Sequence, residues 1–421
     1  MSDIRTRINE LIKEFYNEMS AVDNSENTEI KLSAPAFDHN EAINAMSTIL
    51  DGWISQGPNV KKFEASFSKY VGCTKGIAVN SGSSANLLAI QALKIKYKIP
   101  EGSEVIIPAA TFATVAMPII QLGFIPVYVD VETDSFNIDP KEVEKGITDK
   151  TRIVMPVHTL GYPAEMEDMM ALAKKHDLFV LEDCCEAHGS KIGDKKVGSW
   201  GDLATFSFFV AHNMTTGEGG MIITNDEELQ NICRSLREFG RYRQKDNNLF
   251  YSDDVLNDYD KRYVFERLGY NVRMTDITAA LGNAQLIKLD SMNDRRRHNA
   301  ARLQKQLAEG AGEYLEFQGC KETYFHTYYT FPVVLTEKAL FTRRVFSEHL
   351  ESKGIETRPL FGGCLPDQPA FRNEPGRSFG DLSVSRNLRD RLVFVGIHPC
   401  LTDSQIDYVA EVILDFINDN K

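Results

Sequence analysis

Ser207-Phe-Phe-Val-Ala-His-Asn-Met-Thr-Thr-Gly-Glu-Gly-Gly220 is a polar, glycine-rich stretch between two short β-prone runs, Ala204–Phe209 and Met221–Thr224. Its Gly-Glu-Gly-Gly end can turn tightly, because glycine accepts positive φ without a Cβ clash. A loop this tight makes the second run antiparallel to the first. On the N-terminal side, further β-branched runs precede it at Gly76–Val79, Val105–Pro108, Ile125–Val131, Arg152–Val157 and Phe179–Glu182. Helical patterns lie between most of them, as at Ala85–Tyr97, Pro140–Gly146 and Ala164–His176. Strands that are apolar throughout and alternate with helices predict an α/β fold, with a large, mostly parallel sheet covered by helices on both faces.

Outside this region the pattern changes. Residues 1–31 read as an amphipathic helix and polar linker, with Ile4, Ile8, Leu11, Ile12 and Phe15 on one face. Helical patterns at Glu41–Trp53 and Asn59–Val71 open a large domain spanning 32–274. Arg241–Arg267 is charged, aromatic and weakly periodic, and reads as an excursion. From about Thr275 a long helix runs toward Leu303 and begins the segment 275–421. That helix contains Arg295-Arg-Arg-His298, read as a solvated face. Strands at Thr327–Leu335, Ile355–Pro359 and Leu392–Val395, with helices at Phe341–Ser352 and Asp403–Ile417, predict a small C-terminal α/β domain.

Composition limits the function. The net charge of −13 argues against generic nucleic-acid or anionic-membrane binding. No apolar run reaches the length of a membrane span, and the N-terminus resembles neither a signal nor a transit peptide, so the expected compartment is the cytoplasm. Seven cysteines (Cys73, Cys184, Cys185, Cys233, Cys320, Cys364, Cys400) show no Cys-x-x-Cys spacing, against a disulfide framework or a structural zinc site.

Five stretches fall at the C-terminal ends of predicted strands, where open α/β sheets place ligands. Asn80-Ser-Gly-Ser-Ser-Ala-Asn86 opens an apolar helix. Ser83 and Ser84 there suit either a phosphate at the helix N-terminus or a plain N-cap. Phe112 either stacks on a flat ligand or joins the core, and core is the better reading in isolation. In Leu181-Glu-Asp-Cys-Cys-Glu-Ala-His-Gly189 a strand runs straight into carboxylates. Asp183 there needs a cation or several donors, and a protonated pyridine nitrogen would serve. Metal ligation by Asp183, Glu186 and His188 is the rival, ranked lower because no matching cluster follows downstream. The opening stretch supplies Ser207 and His212, the latter a surface histidine or a chemical group. Leu268-Gly-Tyr-Asn-Val-Arg-Met-Thr-Asp276 opens the long helix, with Thr275 or Asp276 as its cap.

Taken in order, these stretches, with His158-Thr-Leu-Gly161 and Gly396-Ile-His-Pro399, resemble the DegT/DnrJ/EryC1/StrS sugar aminotransferases of fold type I, from about Leu32 to the end. In that family the position before Asn213 is the lysine that forms a Schiff base with pyridoxal phosphate (PLP). Here it is His212, which cannot form that imine but can take or give a proton. The exchange resembles the sugar-nucleotide 3-dehydratases of the family, acting on CDP-4-dehydro-6-deoxyglucose or GDP-4-dehydro-6-deoxymannose with pyridoxamine phosphate (PMP). The cysteine-bearing stretch is closer to the CDP branch, which carries an iron–sulfur cluster. Cys185 matches its first ligand, but Arg241–Arg267 holds no cysteine, so no cluster is expected.

The resemblance implies removal of the C3 hydroxyl of a nucleotide-linked 4-keto-6-deoxyhexose, with His212 as the proton acceptor. It implies that Asp183 faces the pyridine nitrogen, Phe112 its ring and Glu186 its 3-hydroxyl. Ser83, Ser84 and Ser207 would hold the phosphate, and Asn271 would arrive from the second subunit of a homodimer. Glutamate would be the amino donor. Arg358 would meet a substrate phosphate or the glutamate carboxylate, or is simply a surface charge. An ordinary PLP-dependent aminotransferase, a non-catalytic PMP-binding protein and a metal enzyme remain the alternatives.

Overall fold

The computed structural model describes residues 2–20, 29–242, 260, 263–319 and 321–421. Strands β1 (Lys75–Val79), β2 (Glu104–Pro108), β3 (Ile125–Val129), β4 (Thr151–Val154) and β5 (Phe179–Asp183) follow one another through helices. Two short strands, β6 (Lys191–Ile192) and β7 (Lys195–Lys196), precede β8 (Leu203–Ser207) and β9 (Gly220–Thr224). The strands β10 (Leu315–Phe317), β11 (Tyr324–Phe325), β12 (Phe331–Leu335), β13 (Thr357–Pro359), β14 (Arg377–Ser378) and β15 (Leu392–Val395) complete the chain.

The large sheet runs β1-β9-β8-β5-β4-β2-β3-β14. Only β9 is antiparallel to its neighbours, β8 and β1, as the tight glycine loop predicts. Burial on both faces follows the two-residue period of the strands. Val105 and Ile107 of β2 pack under helices α4 (Gly82–Lys96), α5 (Ala113–Gln121) and α8 (Glu227–Arg237), whereas Ile106 faces α6 (Pro140–Gly146) and α7 (Met166–His176). Helices α1 (Ser2–Ser20), α2 (His39–Leu50) and α3 (Pro58–Val71) precede the sheet, and α3 covers its β8–β9 side with α9 (Asp276–Ala311). The smaller antiparallel sheet, β10-β12-β15-β13, packs on α10 (Arg343–Ser352), α12 (Asp403–Asp419) and the distal half of α9. Helix α11 (Ser383–Arg391) lies against β12 and β15.

Departures from the expected elements have local causes. Helix α5 escapes the sequence pattern because Thr-Val-Ala-Met-Pro-Ile-Ile is β-branched and contains Pro118. The Thr114 carbonyl, which Pro118 cannot serve, accepts the Asn86 side chain at 3.3 Å instead. Strand β12 starts four residues later than expected because Tyr328 is left-handed, with φ 47°. The run Arg295–His298 is not wholly a solvated face. Arg295 and His298 pair with Asp403, and Arg297 lies 4.1 Å from the Phe325 ring centroid, but Arg296 is buried. Among the described residues no helix is long and apolar enough to cross a membrane. Most of Arg241–Arg267, and Cys320, lie outside the described residues.

Four of the five ligand-bearing stretches, those after β1, β2, β5 and β8, meet at one edge of the sheet. Their convergence depends on bare backbone. A Cβ on Gly220 would strike the Ser81 carbonyl, and one on Gly82 would meet the Ser207 Cβ at 2.6 Å. The β1–α4 turn therefore lies directly on β8 and β9, and the side chains that follow all border the same space.

Candidate active site

That space is a cavity of about 670 Å³ lined by Ser83, Phe112, Asp183, Glu186, Ser207, His212 and Arg358, among others. Seven of the nine residues expected at a site thus border one cavity. Ser84 does not. Its hydroxyl donates to Asn80 at 2.7 Å, and its amide is capped by Ser81, which is the N-cap of α4 and itself lines the cavity. The capping reading was right in kind, but the cap is Ser81 and neither Ser83 nor Ser84. Asn271 is exposed and lies outside the cavity of the single chain. Phe112 is not core: it stands 52% exposed at the start of α5, its ring 6.0 Å from that of Phe361.

Asp183 ends β5 and is 5% exposed. Its carboxylate accepts from the Asn86 side chain at 2.9 Å and the Cys185 amide at 3.0 Å. Asn86 is fixed in turn by Thr205, whose hydroxyl donates to it at 2.6 Å. No cationic side chain pairs with Asp183 among the described residues, so the carboxylate presents its charge to the cavity. Glu186 accepts the Leu160 amide at 2.6 Å, from a turn in which Leu160 is left-handed at φ 56°. Burial, reinforced by the Asp183 charge, pushes the Glu186 pKa up to about 8, so at neutral pH it carries a proton it can donate.

His212 sits half-buried beside the cavity, in the turn its amide makes with the Phe209 carbonyl at 3.0 Å. Its ring centroid lies 5.3 Å from that of Tyr329 and 5.9 Å from that of His188. Burial, with the Arg296 charge adding, pushes its pKa down to about 3. The imidazole is therefore neutral and able to accept a proton. Burial keeps the Cys185 thiol, also in the cavity wall, protonated, and the neighbouring carboxylates act in the same direction.

The rival metal site does not assemble. His188 is buried against Phe67, Phe206 and Phe208 and does not line the cavity with Asp183 and Glu186. A different trio, His158, Glu182 and Cys184, does cluster. Both of its polar groups are already committed. The Glu182 carboxylate accepts the amides of Gly198, Trp200 and Gly201 at 2.7–2.8 Å. His158 Nδ1 accepts the Ala164 amide, which leaves Nε2 as the donor to Glu182. This network ties the β5 end to neighbouring loops and leaves neither imidazole nitrogen free for a metal.

Tyr329 and Glu356 also line the cavity, and no motif in the sequence singles them out. Ser81 was legible as the small polar residue directly before a helical run. Tyr329 had no signal beyond its place in an aromatic strand.

Residues 37–414 match the model of the DegT/DnrJ/EryC1/StrS aminotransferase family. The chain belongs to this family. It is 35% identical to the dTDP-4-dehydro-2,6-dideoxy-D-glucose 3-dehydratase of Saccharopolyspora spinosa, over 99% of this chain and 92% of that one. It is 32% identical to the GDP-4-keto-6-deoxy-D-mannose 3-dehydratase of Yersinia pseudotuberculosis, over 91% of this chain and 97% of the other. The solved structure of the Escherichia coli GDP-4-keto-6-deoxy-D-mannose-3-dehydratase, with bound hydrated PLP, superposes with a TM-score of 0.85 at 30% identity, covering 91% of this chain and 99% of that one. The fold is therefore the fold type I architecture of this DegT-type family, with the parallel sheet expected from the sequence.

A pH dependence follows from the buried imidazoles. Burial holds His212 and His326 near 3, His398 near 4 and His188 well below the ordinary histidine value. Between about pH 6.5 and 4 the unfolded chain binds protons at these positions that the native chain excludes, so stability falls as the pH falls. Glu186 opposes this, because its raised pKa makes the native state the better proton binder there, but it is one group against four. The thermal midpoint is expected to drop steadily from pH 7 to pH 5, as measured by circular dichroism. A flat or rising profile would show that these imidazoles are solvated.

Proposed function

We propose that this chain is a PMP-dependent nucleotide-sugar 3-dehydratase, a lyase that removes the C3 hydroxyl of a 4-keto-6-deoxyhexose. One observation carries the reading: the cavity is built like a PLP-family site, yet it presents His212 where the family's lysine stands, and among the described residues no lysine lines it. When bound, PMP supplies a pyridinium ring that withdraws electrons from the carbon where negative charge develops.

The residues fit that cofactor. The unpaired Asp183 carboxylate suits a protonated ring nitrogen and keeps it charged. The N-terminus of α4, with Ser81 as cap and Ser83 and Ser207 beside it, offers amides and hydroxyls to a phosphate. The exposed Phe112 ring offers a flat face, and protonated Glu186 a donor for a phenolic oxygen. The neutral His212 then accepts a proton at a ring nitrogen; its Nδ1 makes no hydrogen bond within the chain among the described residues. Phe209, Val210 and Phe361 make one wall apolar and limit water beside that proton. Arg358, at the rim, donates to Glu356 at 2.6 Å and is placed to meet a diphosphate or the carboxylate of glutamate, the proposed amino donor.

The proposed enzyme uses no iron–sulfur cluster, since Cys185 is the single cysteine lining the cavity among the described residues and its thiol is held protonated, the reverse of a thiolate ligand. The proposed active unit is a homodimer in which Asn271 completes the partner's phosphate site.

Mass analysis of products from 4-keto-6-deoxy CDP-, GDP- and dTDP-sugars, with PMP and glutamate and no reductase, should show loss of the C3 hydroxyl from one of them. His212→Asn should retain PMP and lose turnover by on the order of 10²–10⁴-fold. Turnover within a few-fold of the wild type would make His212 a bystander. Mixing His212→Asn with inactive Asn271→Ala should restore part of the activity, because each mixed dimer holds one intact site. No recovery, with subunit exchange demonstrated, would place the whole site in one chain.

A further inference from the structure

Arg296 is buried, at 2% exposure, although it lies within the run Arg295–His298. It belongs to the inner face of α9, in register with Leu289, Met292, Ala300, Leu303 and Leu307. Its Nη1 donates to the carbonyl of Tyr328 at 3.3 Å and to that of Tyr329 at 3.0 Å. Among the described residues no carboxylate lies within ion-pair distance of it, and its Nε has no partner. Removing a guanidinium from water without a counter-charge is strongly unfavourable. A Met or Leu here would fill the same space without that cost, so packing alone does not explain an arginine.

What the side chain holds is next to the chemistry. Tyr328 is left-handed at φ 47°, and the two carbonyls that converge on Arg296 belong to this turn. The following residue, Tyr329, lines the cavity with its ring 5.3 Å from that of His212. We propose that Arg296 is a positioning residue for His212: it clamps the Tyr328 turn that sets Tyr329 beside the imidazole, and it holds an unmatched positive charge at that turn so that His212 stays a proton acceptor. The proposal rests on His212 being the base of the reaction described above.

The charges around His212 support this sign. Arg296 is the one charged group that pushes His212 down, and it pushes His188 and His398 the same way. Facing the same space are His188 behind the ring, Tyr329 beside it, and Asp183, Cys185 and Glu186 from the β5 end. Glu218, Glu356 and Arg358 lie at the cavity rim. Burial keeps the Tyr329 hydroxyl protonated and uncharged, while Arg296 acts in the opposite direction. Burial pushes Arg296 itself down only to about 10, so it remains a cation at neutral pH.

The test reads His212 directly and needs no substrate. In protein with ¹³C-labelled histidine rings, the His212 signal is assigned by its loss in His212→Asn and followed from pH 8 to pH 5. Wild type and Arg296→Lys should show no titration in this range. Arg296→Gln, which keeps donors but loses the charge, and Arg296→Met should each bring the His212 midpoint from near 3 up into it, a change of at least a hundredfold in the protonation constant. An unmoved signal in a folded neutral variant would overturn the proposal. So would failure of both neutral variants to fold while Arg296→Lys folds, since Arg296 would then serve the fold alone. If the sugar panel shows no dehydration while the titration behaves as expected, the functional reading fails and the assignment to Arg296 stands.

Discussion

A carboxylate at the end of a buried strand, facing a cavity and paired with no cationic side chain among the described residues, is the constraint around which this site is organised. Asp183 is held by the Asn86 side chain and the Cys185 amide, which fix its direction but do not neutralise it. Burial raises Glu186 and the Asp183 charge adds to this, so Glu186 keeps a proton. The surrounding structure holds this pair in place. Glu182, one residue earlier, ties the strand end to the loop at Gly198–Gly201 through three amides, and His158 closes the network on the other side. A ligand with a protonated ring nitrogen would supply the positive charge the chain does not provide.

The opposite wall carries the opposite sign. Burial keeps the His212 imidazole neutral, and Arg296, with only carbonyl oxygens for partners, adds to this. A protonated carboxyl at Glu186 and an unprotonated imidazole at His212 make a donor and an acceptor across one space, each set by its surroundings. An amine at position 212 would bind the cofactor covalently. The imidazole leaves it free and keeps the proton chemistry.

Much of this was legible in the sequence, for reasons that can be traced to particular residues. Apolar strands between helices require a doubly covered parallel sheet, and the tight glycine loop requires β9 to reverse. A strand that runs into Glu182-Asp183 places carboxylates at the sheet edge whatever the family. His212 was readable only against a family pattern, since a loop histidine has no meaning by itself. Phe112 was misjudged because an aromatic after a strand is usually core, and nothing local shows that α5 starts there and leaves the ring exposed. Ser84 was over-read because its partner, Asn80, sits one turn away and takes its hydroxyl. Arg296 was hidden in a run of charges, although its spacing from Leu289, Met292, Ala300 and Leu303 follows the buried face of the helix. Asn271 lies outside the single chain's cavity, and one sequence read alone does not show what a second copy brings.

The account stands on a cavity that takes a pyridoxal-type cofactor without a covalent anchor. The most direct measurement is the intact mass of the protein after incubation with PLP, borohydride reduction and denaturation. The account predicts the mass of the bare polypeptide, with cofactor binding visible only under native conditions. A stoichiometric pyridoxyl adduct on any lysine would contradict it and make the chain an ordinary aminotransferase.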